Sequence, residues 1–202
     1  MDINQCSLCG RIAEDVTRGY DANGLIICRS TLEIPRRSAM TDRVPLVFRP
    51  HVMPPGEWRP DMNVSIQGCI RTQRYNDSDG RHLRVMVHVK RMELLEQMHG
   101  EGQNLVHITG RLCKKPIYRK TPLGREIADM LLVAERLHKQ SDFIPCIAWG
   151  PAALYCSRLE GGEPVRIQGR FQSRMYIKRL GDSREEFRTA YEVSVIHVQS
   201  GV

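Results

Sequence analysis

Three aromatic residues in the second half of the chain, Phe143, Trp149 and Tyr176, lie near basic residues in β-rich segments. An aromatic ring can stack on another planar ring, and a neighbouring cationic side chain can bind an anion. A flexible polymer with unpaired rings and backbone phosphates offers both groups. These residues therefore point to non-covalent binding of such a polymer rather than to covalent chemistry.

Basic residues on the same strands and in the adjoining turns are expected to contact phosphates. Ordinary solvated turns are also rich in basic residues. The prediction of phosphate contact therefore depends on the position of these basic residues beside the aromatic residues. They are Arg111, Lys114, Lys115, Arg119, Lys120, Arg125, Arg170, Arg174, Lys178 and Arg179.

The elements that position these residues occur twice, about 100 residues apart. Gly10-Arg11, Gly24, Ile27, Leu32, Arg36, Asp42 and Pro45 recur as Gly110-Arg111, Gly124, Ile127, Leu132, Arg136, Asp142 and Pro145. One residue later in phase, 64–68 recurs as 165–169, and Tyr75 as Tyr176. This period exceeds the roughly 20–50 residues of a solenoid unit and fits one small domain. The chain is therefore predicted to contain two tandem domains.

Each domain is predicted to be an OB-fold, a five-stranded Greek-key barrel, so the fold class is all-β. In the second copy, segments 105–112, 127–134, 143–149, 165–176 and 190–198 are apolar or alternate with period two. Between the third and fourth strands, Pro151 and Gly161-Gly162 delimit a short helix. The first copy has four prolines in the equivalent stretch, 49–60, which excludes a helix there. Trp58 is expected to close that barrel instead. The expected domains are 1–95 and 105–202, joined by 96–104.

Strand parity predicts which side chains face outward. In 143–149 the even-numbered residues are small or aliphatic and suit the barrel core, so Phe143 and Trp149 are expected on the outer face, about 20 Å apart. At the equivalent positions the first copy has Arg43 and Arg49. With Arg71 and Tyr75, these are its candidate binding residues, and weaker, more electrostatic binding is expected there.

The second copy resembles the bacterial single-stranded DNA-binding proteins. The resemblance rests on ordered blocks: 106–112, Thr121-Pro122-Leu123-Gly124, 142–150 and 161–174. Phe143, Trp149 and Tyr176 fall where that family places its stacking aromatics. The first copy is similar mainly through its match to the second.

The resemblance implies sequence-independent binding of single-stranded DNA in replication, recombination or repair. Most members have one OB-fold per chain and form tetramers, so a chain with two folds is expected to form a homodimer, through the exposed edges of its first strands. Members usually end in an acidic tip that recruits replication and repair proteins. This sequence stops at Gln199-Ser200-Gly201-Val202, so recruitment by such a tip is not expected.

Composition supports a binding protein of a reducing compartment. The net charge is +7, with +2 in residues 1–100 and +5 in the rest, which suits a polyanionic partner for the second copy. Seven cysteines without regular spacing favour reduced thiols in the cytoplasm. No apolar run has the length of a membrane span, and residues 1–10 do not resemble a signal peptide.

Metal, cofactor and enzyme motifs are weak or missing. Cys6 and Cys9 have the spacing of one half of a zinc knuckle, but no second Cys or His pair follows, and 76–80 fits a hairpin turn better than a calcium loop. No metal, cofactor or catalytic residue is predicted. Three alternatives stay open: an OB-fold assembly protein of a primosome or mobile element, a single-stranded RNA binder, and, as the most distant, an enzyme.

Overall fold

A computed structural model of the chain describes residues 2–38, 40–56, 58–77, 80–98, 102–137, 140–179 and 185–201. It contains two tandem OB-folds, which confirms the predicted fold class. In the described part of the chain, no helix is long and apolar enough to cross a membrane.

Within the described ranges, each repeat contributes six strands. In the first repeat these are β1 (Asn4–Ile12), β2 (Thr17–Tyr20), β3 (Ile26–Pro35), β4 (Thr41–Phe48), β5 (Asn63–Asp77) and β6 (Gly80–Leu95). In the second they are β7 (Asn104–Leu112), β8 (Ile117–Lys120), β9 (Glu126–Glu135), β10 (Ser141–Trp149), β11 (Pro164–Arg179) and β12 (Glu185–Ser200). The short strands β2 and β8 each form the outer arm of a hairpin. The sequence indicated the turns of these hairpins but not the short strands. The predicted domain boundaries stay a prediction.

The connection between the third and fourth barrel strands differs between the repeats as predicted. In the second repeat it contains helix α1 (Pro151–Cys156), whose Ala153 and Cys156 are buried. This helix is shorter than the predicted segment. Among the described residues of this connection in the first repeat, a single 3₁₀ turn forms, at Pro50–Val52, and Trp58 packs against the core. The Trp58 indole N–H donates to the carbonyl of Pro54 at 3.1 Å, which fixes the ring there.

The alternation of side chains in β10 is confirmed with one exception. Ile144, Cys146 and Ala148 are buried in the core, while Phe143 and Trp149 are half-buried on the outer face. Ile147, which shares the outer face by parity, is only 2% exposed and therefore packs beneath other side chains of that face.

The first strands of the two repeats pair with each other within one chain. β1 and β7 are antiparallel, with Cys6 opposite Val106 and Leu8 opposite Asn104, and this pairing joins all twelve strands into one sheet. The expectation that these edges pair across a homodimer is therefore wrong. The reason is covalent linkage, because a partner edge on the same chain is present at high effective concentration.

Two buried aspartates clamp the repeats together. Asp142 is fully buried, and its carboxylate accepts hydrogen bonds from Arg136 of its own repeat (Nε, 2.6 Å) and from Arg71 (Nη1, 2.8 Å) and the Thr72 N–H (2.7 Å) of the first repeat. The equivalent Asp42 pairs with Arg36 (2.8 Å) and accepts from the Ser173 N–H (3.1 Å). These paired positions explain part of the sequence repeat.

Candidate nucleic-acid interface

Trp149 lies at the end of β10, in a row of outward-facing residues. It is opposite Ile127 of β9, which is opposite Arg119 of β8. Arg119 is half-exposed and pairs with Asp129 at 2.6 Å, which raises the pKa of Arg119. The row thus places a cation two strands from the Trp149 ring, next to a carboxylate.

A cleft of about 800 Å³ opens beside Trp149 between the two repeats. Its lining contains five arginines, with Gln172 and Ser194 among its other residues. The arginines are Arg125, Arg170 and Arg174 of the second repeat and Arg36 and Arg43 of the first. A ring beside several arginine side chains fits an unpaired base and its phosphates.

Arg170 illustrates the charge density of this cleft. Its burial, and secondly the neighbouring Arg36, lower the pKa of Arg170, and Asp42 opposes the effect. An anion bound in the cleft would relieve that repulsion. Arg174 lies further along β11, where its Nε is 3.5 Å from the carboxylate of Glu192. Glu192 is nearly buried and accepts a 2.8 Å hydrogen bond from Gln172, so the cleft is polar as well as cationic.

Tyr176 lines a second inter-repeat cleft, which reaches β10 two residues from Phe143. This cleft, of about 560 Å³, is lined by Tyr176 and by Pro145, the outward neighbour of Phe143. Tyr176 is 39% exposed, and the Arg174 guanidinium is 5.9 Å from its ring centroid. Phe143 is covered by Arg74 of the first repeat, 4.3 Å from its ring centroid. The structure therefore brings all three predicted aromatics to the outer face.

The long β11–β12 hairpin carries apolar side chains that the sequence did not single out. Ile177 lies opposite Phe187, and both are exposed, Phe187 by 72%. Lys178 is half-buried on the same hairpin. The predicted contact residue Arg179 ends β11, but its side chain and residues 180–184 lie outside the described residues. The signal for Phe187 in the sequence is its alternation with polar neighbours. Strand prediction missed Phe187 because it placed the start of the last strand at residue 190.

Several predicted basic residues lie away from both clefts. The Arg111 guanidinium donates to the carbonyl of Gly162 at 3.1 Å, and Lys115 pairs with Glu160, so both lie near the connection that follows α1. Lys114 is exposed in the turn after β7. Lys120 is 4.0 Å from Glu126 at the tip of the β8–β9 hairpin. These four residues line neither cleft.

In the first repeat, the arginines at the equivalent positions are held by carboxylates. Arg43 contacts Glu33 at 2.6 Å and Glu14 at 2.5 Å. Arg49 contacts Asp21 at 2.6 Å; the pKa of Asp21 is lowered first by the Leu25 N–H and next by Arg49. The positive charge of this face is therefore largely compensated.

The other two candidates of the first repeat also have internal partners. Arg71 belongs to the Asp142 clamp. The Tyr75 ring stacks on His82, with centroids 5.3 Å apart, and the Arg84 guanidinium is 4.9 Å from the Tyr75 centroid. Tyr75 still lines the second inter-repeat cleft with Tyr176.

Metal ligation has little structural basis. Among the described residues, no cluster of three or more His, Cys, Asp or Glu side chains could hold an ion. Burial raises the pKa of Cys6 to about 12, so its sulfur stays a thiol. Of the turn at 76–80, residues 78 and 79 lie outside the described residues.

Fold and interface together define a single-strand binding protein of the OB-fold class, and the chain belongs to the single-strand binding protein family. The family model matches residues 103–200, which is the second repeat. Membership agrees with the prediction that the chain is not an enzyme.

The individual relatives are bacterial. Single-stranded DNA-binding protein B of Bacillus subtilis (strain 168) is 34% identical over 88 residues, covering 39% of this chain and 75% of that protein. Single-stranded DNA-binding protein 2 of Listeria innocua serovar 6a is 35% identical over 80 residues, covering 36% of this chain. The chain therefore spans about half the length of the Listeria protein (50%).

Solved structures extend the fold likeness to the whole chain. The wild-type single-stranded DNA-binding protein from Thermus aquaticus superposes with a TM-score of 0.72 at 21% identity, covering 100% of this chain and 94% of that one. At this identity the likeness concerns the fold, and it includes the first repeat that the family model leaves out.

Proposed function

We propose that this protein binds single-stranded DNA without sequence preference during replication, recombination or repair, mainly through its second repeat. The observation that carries the proposal is the Trp149 ring at the edge of a cleft lined by five arginines. Bases stack on such rings, and arginines compensate the phosphates. The names and the family of the relatives point the same way.

The first repeat is proposed to bind more weakly. To contact DNA, its Arg43 and Arg49 would have to exchange a carboxylate partner for a phosphate. The net gain in binding free energy from such an exchange is small. The proposed setting is the bacterial cytoplasm at the nucleoid. It is consistent with the seven cysteines, which are all free thiols.

The direct test is fluorescence anisotropy of labelled oligo-dT, duplex DNA and oligo-rU at two salt concentrations. Oligo-dT is expected to bind far more tightly than duplex, because paired bases cannot stack on Trp149. Its affinity should fall steeply with salt, because phosphate contacts release counterions. Equal affinity for duplex, or a flat salt response, would contradict the proposal. The oligo-rU arm decides between DNA and RNA as the preferred ligand.

The proposed assembly is a homodimer with four OB-folds. Because β1 and β7 pair within the chain, the dimer contact is expected on another surface. Light scattering should give about 46 kDa, twice the chain mass of 23.2 kDa. A 23 kDa particle at micromolar concentration would contradict the dimer and leave single-strand binding to be judged by the titration alone.

A further inference from the structure

The contact between Arg74 and Phe143 joins the two repeats at the proposed binding face. Arg74 lies on β5 of the first repeat and is exposed, and Phe143 lies on β10 of the second. The guanidinium carbon is 4.3 Å from the ring centroid, well within the range of cation–π attraction. The family resemblance did not single out Arg74, because it covers the second repeat.

Two hydrogen bonds beside this contact fix its geometry. The Phe143 N–H donates to the hydroxyl of Thr72 at 2.8 Å, and the Thr72 N–H donates to the buried Asp142 at 2.7 Å. Thr72 and Arg74 are two residues apart on β5, so their side chains leave the strand on the same side. The Asp142 clamp therefore holds Arg74 over Phe143 whenever the repeats are docked.

The cleft of about 560 Å³ lies beside this contact, because it reaches β10 at Pro145, two residues from Phe143 on the same face of the strand. Pro145 and Tyr176 line it from the second repeat, and Tyr75 and His82 from the first. Its size is suited to a small planar ligand with polar substituents. Along the outer face of β10, the cleft between the two tyrosines, one from each repeat, adjoins Pro145, which lies between Trp149 and Phe143.

We infer that Arg74 and Phe143 form one stacking layer for a base where the two repeats meet, next to this cleft, in which one or two further nucleotides bind between Tyr75 and Tyr176. A guanidinium is planar, so a base can stack on the face of Arg74 that points away from the ring. Its N–H groups can at the same time bind a phosphate. The inference rests on the proposed function and gives the first repeat a specific part in it.

The opposite corner of the molecule lacks such a layer. The positions equivalent to Phe143 and Arg74 are Arg43 and Met175, and both line the Trp149 cleft. Arg43 is held by Glu33 and Glu14, and Met175 has no planar face. The shared layer therefore distinguishes one path across the repeat boundary from the other.

The test is anisotropy with oligo-dT of roughly 30 nucleotides, which spans two OB-folds. Arg74→Ala is expected to weaken binding about fivefold or more, and Arg74→Lys, which keeps the charge but not the planar group, should not restore it. Arg91→Ala is the matched control, because Arg91 is an exposed arginine that pairs with Glu93 of its own strand, and this variant should bind within about twofold of the unchanged protein.

A double variant separates the layer from two independent contacts. Arg74→Ala combined with Phe143→Ala should bind little more weakly than Phe143→Ala alone, because both changes remove the same layer. Arg74→Met, which keeps an aliphatic chain over the ring, serves if Arg74→Ala does not fold. Binding of Arg74→Ala equal to Arg91→Ala, full rescue by Arg74→Lys, or additive losses would overturn the inference. Failure of the unchanged protein to bind oligo-dT would instead overturn the proposed function.

Discussion

Replacing Trp149 with alanine is expected to weaken oligo-dT binding by roughly 5- to 150-fold. Stacking of a base on an aromatic ring contributes about 1–3 kcal/mol, and the alanine side chain offers no such face. Trp149 is half-buried at the rim of the arginine-lined cleft, so its ring is in reach of a base whose phosphates contact those arginines.

Arg49→Ala is the matched control, because Arg49 occupies the equivalent position of the first repeat. Its guanidinium binds the Asp21 carboxylate at 2.6 Å and the Ile26 carbonyl at 3.0 Å, so a phosphate would compete with partners already in place. A loss of at most a few-fold is expected. Circular dichroism and the urea midpoint should show both variants folded. Normal binding by folded Trp149→Ala would contradict the orientation assigned to β10.

Replacing Asp142 with alanine is expected to lower the free energy of unfolding by about 3–5 kcal/mol. Removing one member of a buried ion pair leaves its partners without compensation. Here the partners come from both repeats: Arg136 from the second, and Arg71 and the Thr72 N–H from the first. The loss therefore weakens the second repeat and its docking to the first. Urea unfolding followed by circular dichroism measures the effect.

Asp129→Ala is the control for this substitution. Asp129 also pairs with an arginine, Arg119, but both side chains are more than a third exposed, so little change is expected. Asp42→Ala should behave like Asp142→Ala, because Asp42 occupies the equivalent clamp. An Asp142→Ala protein as stable as Asp129→Ala would show that the clamp contributes little to holding the repeats together.

The features that could be predicted from the sequence are those that depend on the local pattern of residues. The period-two alternation of β10 placed Phe143 and Trp149 outward, and the prolines around Pro50 argued against an α-helix equivalent to α1 in the first repeat. Both features depend on neighbouring residues alone, so a single chain segment carries the signal.

Features that depend on docking of the two repeats could not be predicted from the sequence. Arg71 was expected to bind DNA, but it meets Asp142, a residue 71 positions away whose burial no local pattern reveals. The cover of Arg74 over Phe143 and the in-chain pairing of β1 with β7 also arise only when the repeats meet. Ile147 was placed correctly by parity, yet its burial depends on side chains from neighbouring strands.

The most direct test of single-strand stacking in the second repeat is the fluorescence of Trp149 itself. The chain has two tryptophans, so a Trp58→Phe protein reports Trp149 alone, and phenylalanine preserves most of the ring that packs on the first core. Titration with oligo-dT should quench the Trp149 emission to saturation, and added salt should reverse the quenching. Oligo-dT that binds by anisotropy while Trp149 emission stays unchanged would contradict this account of the interface.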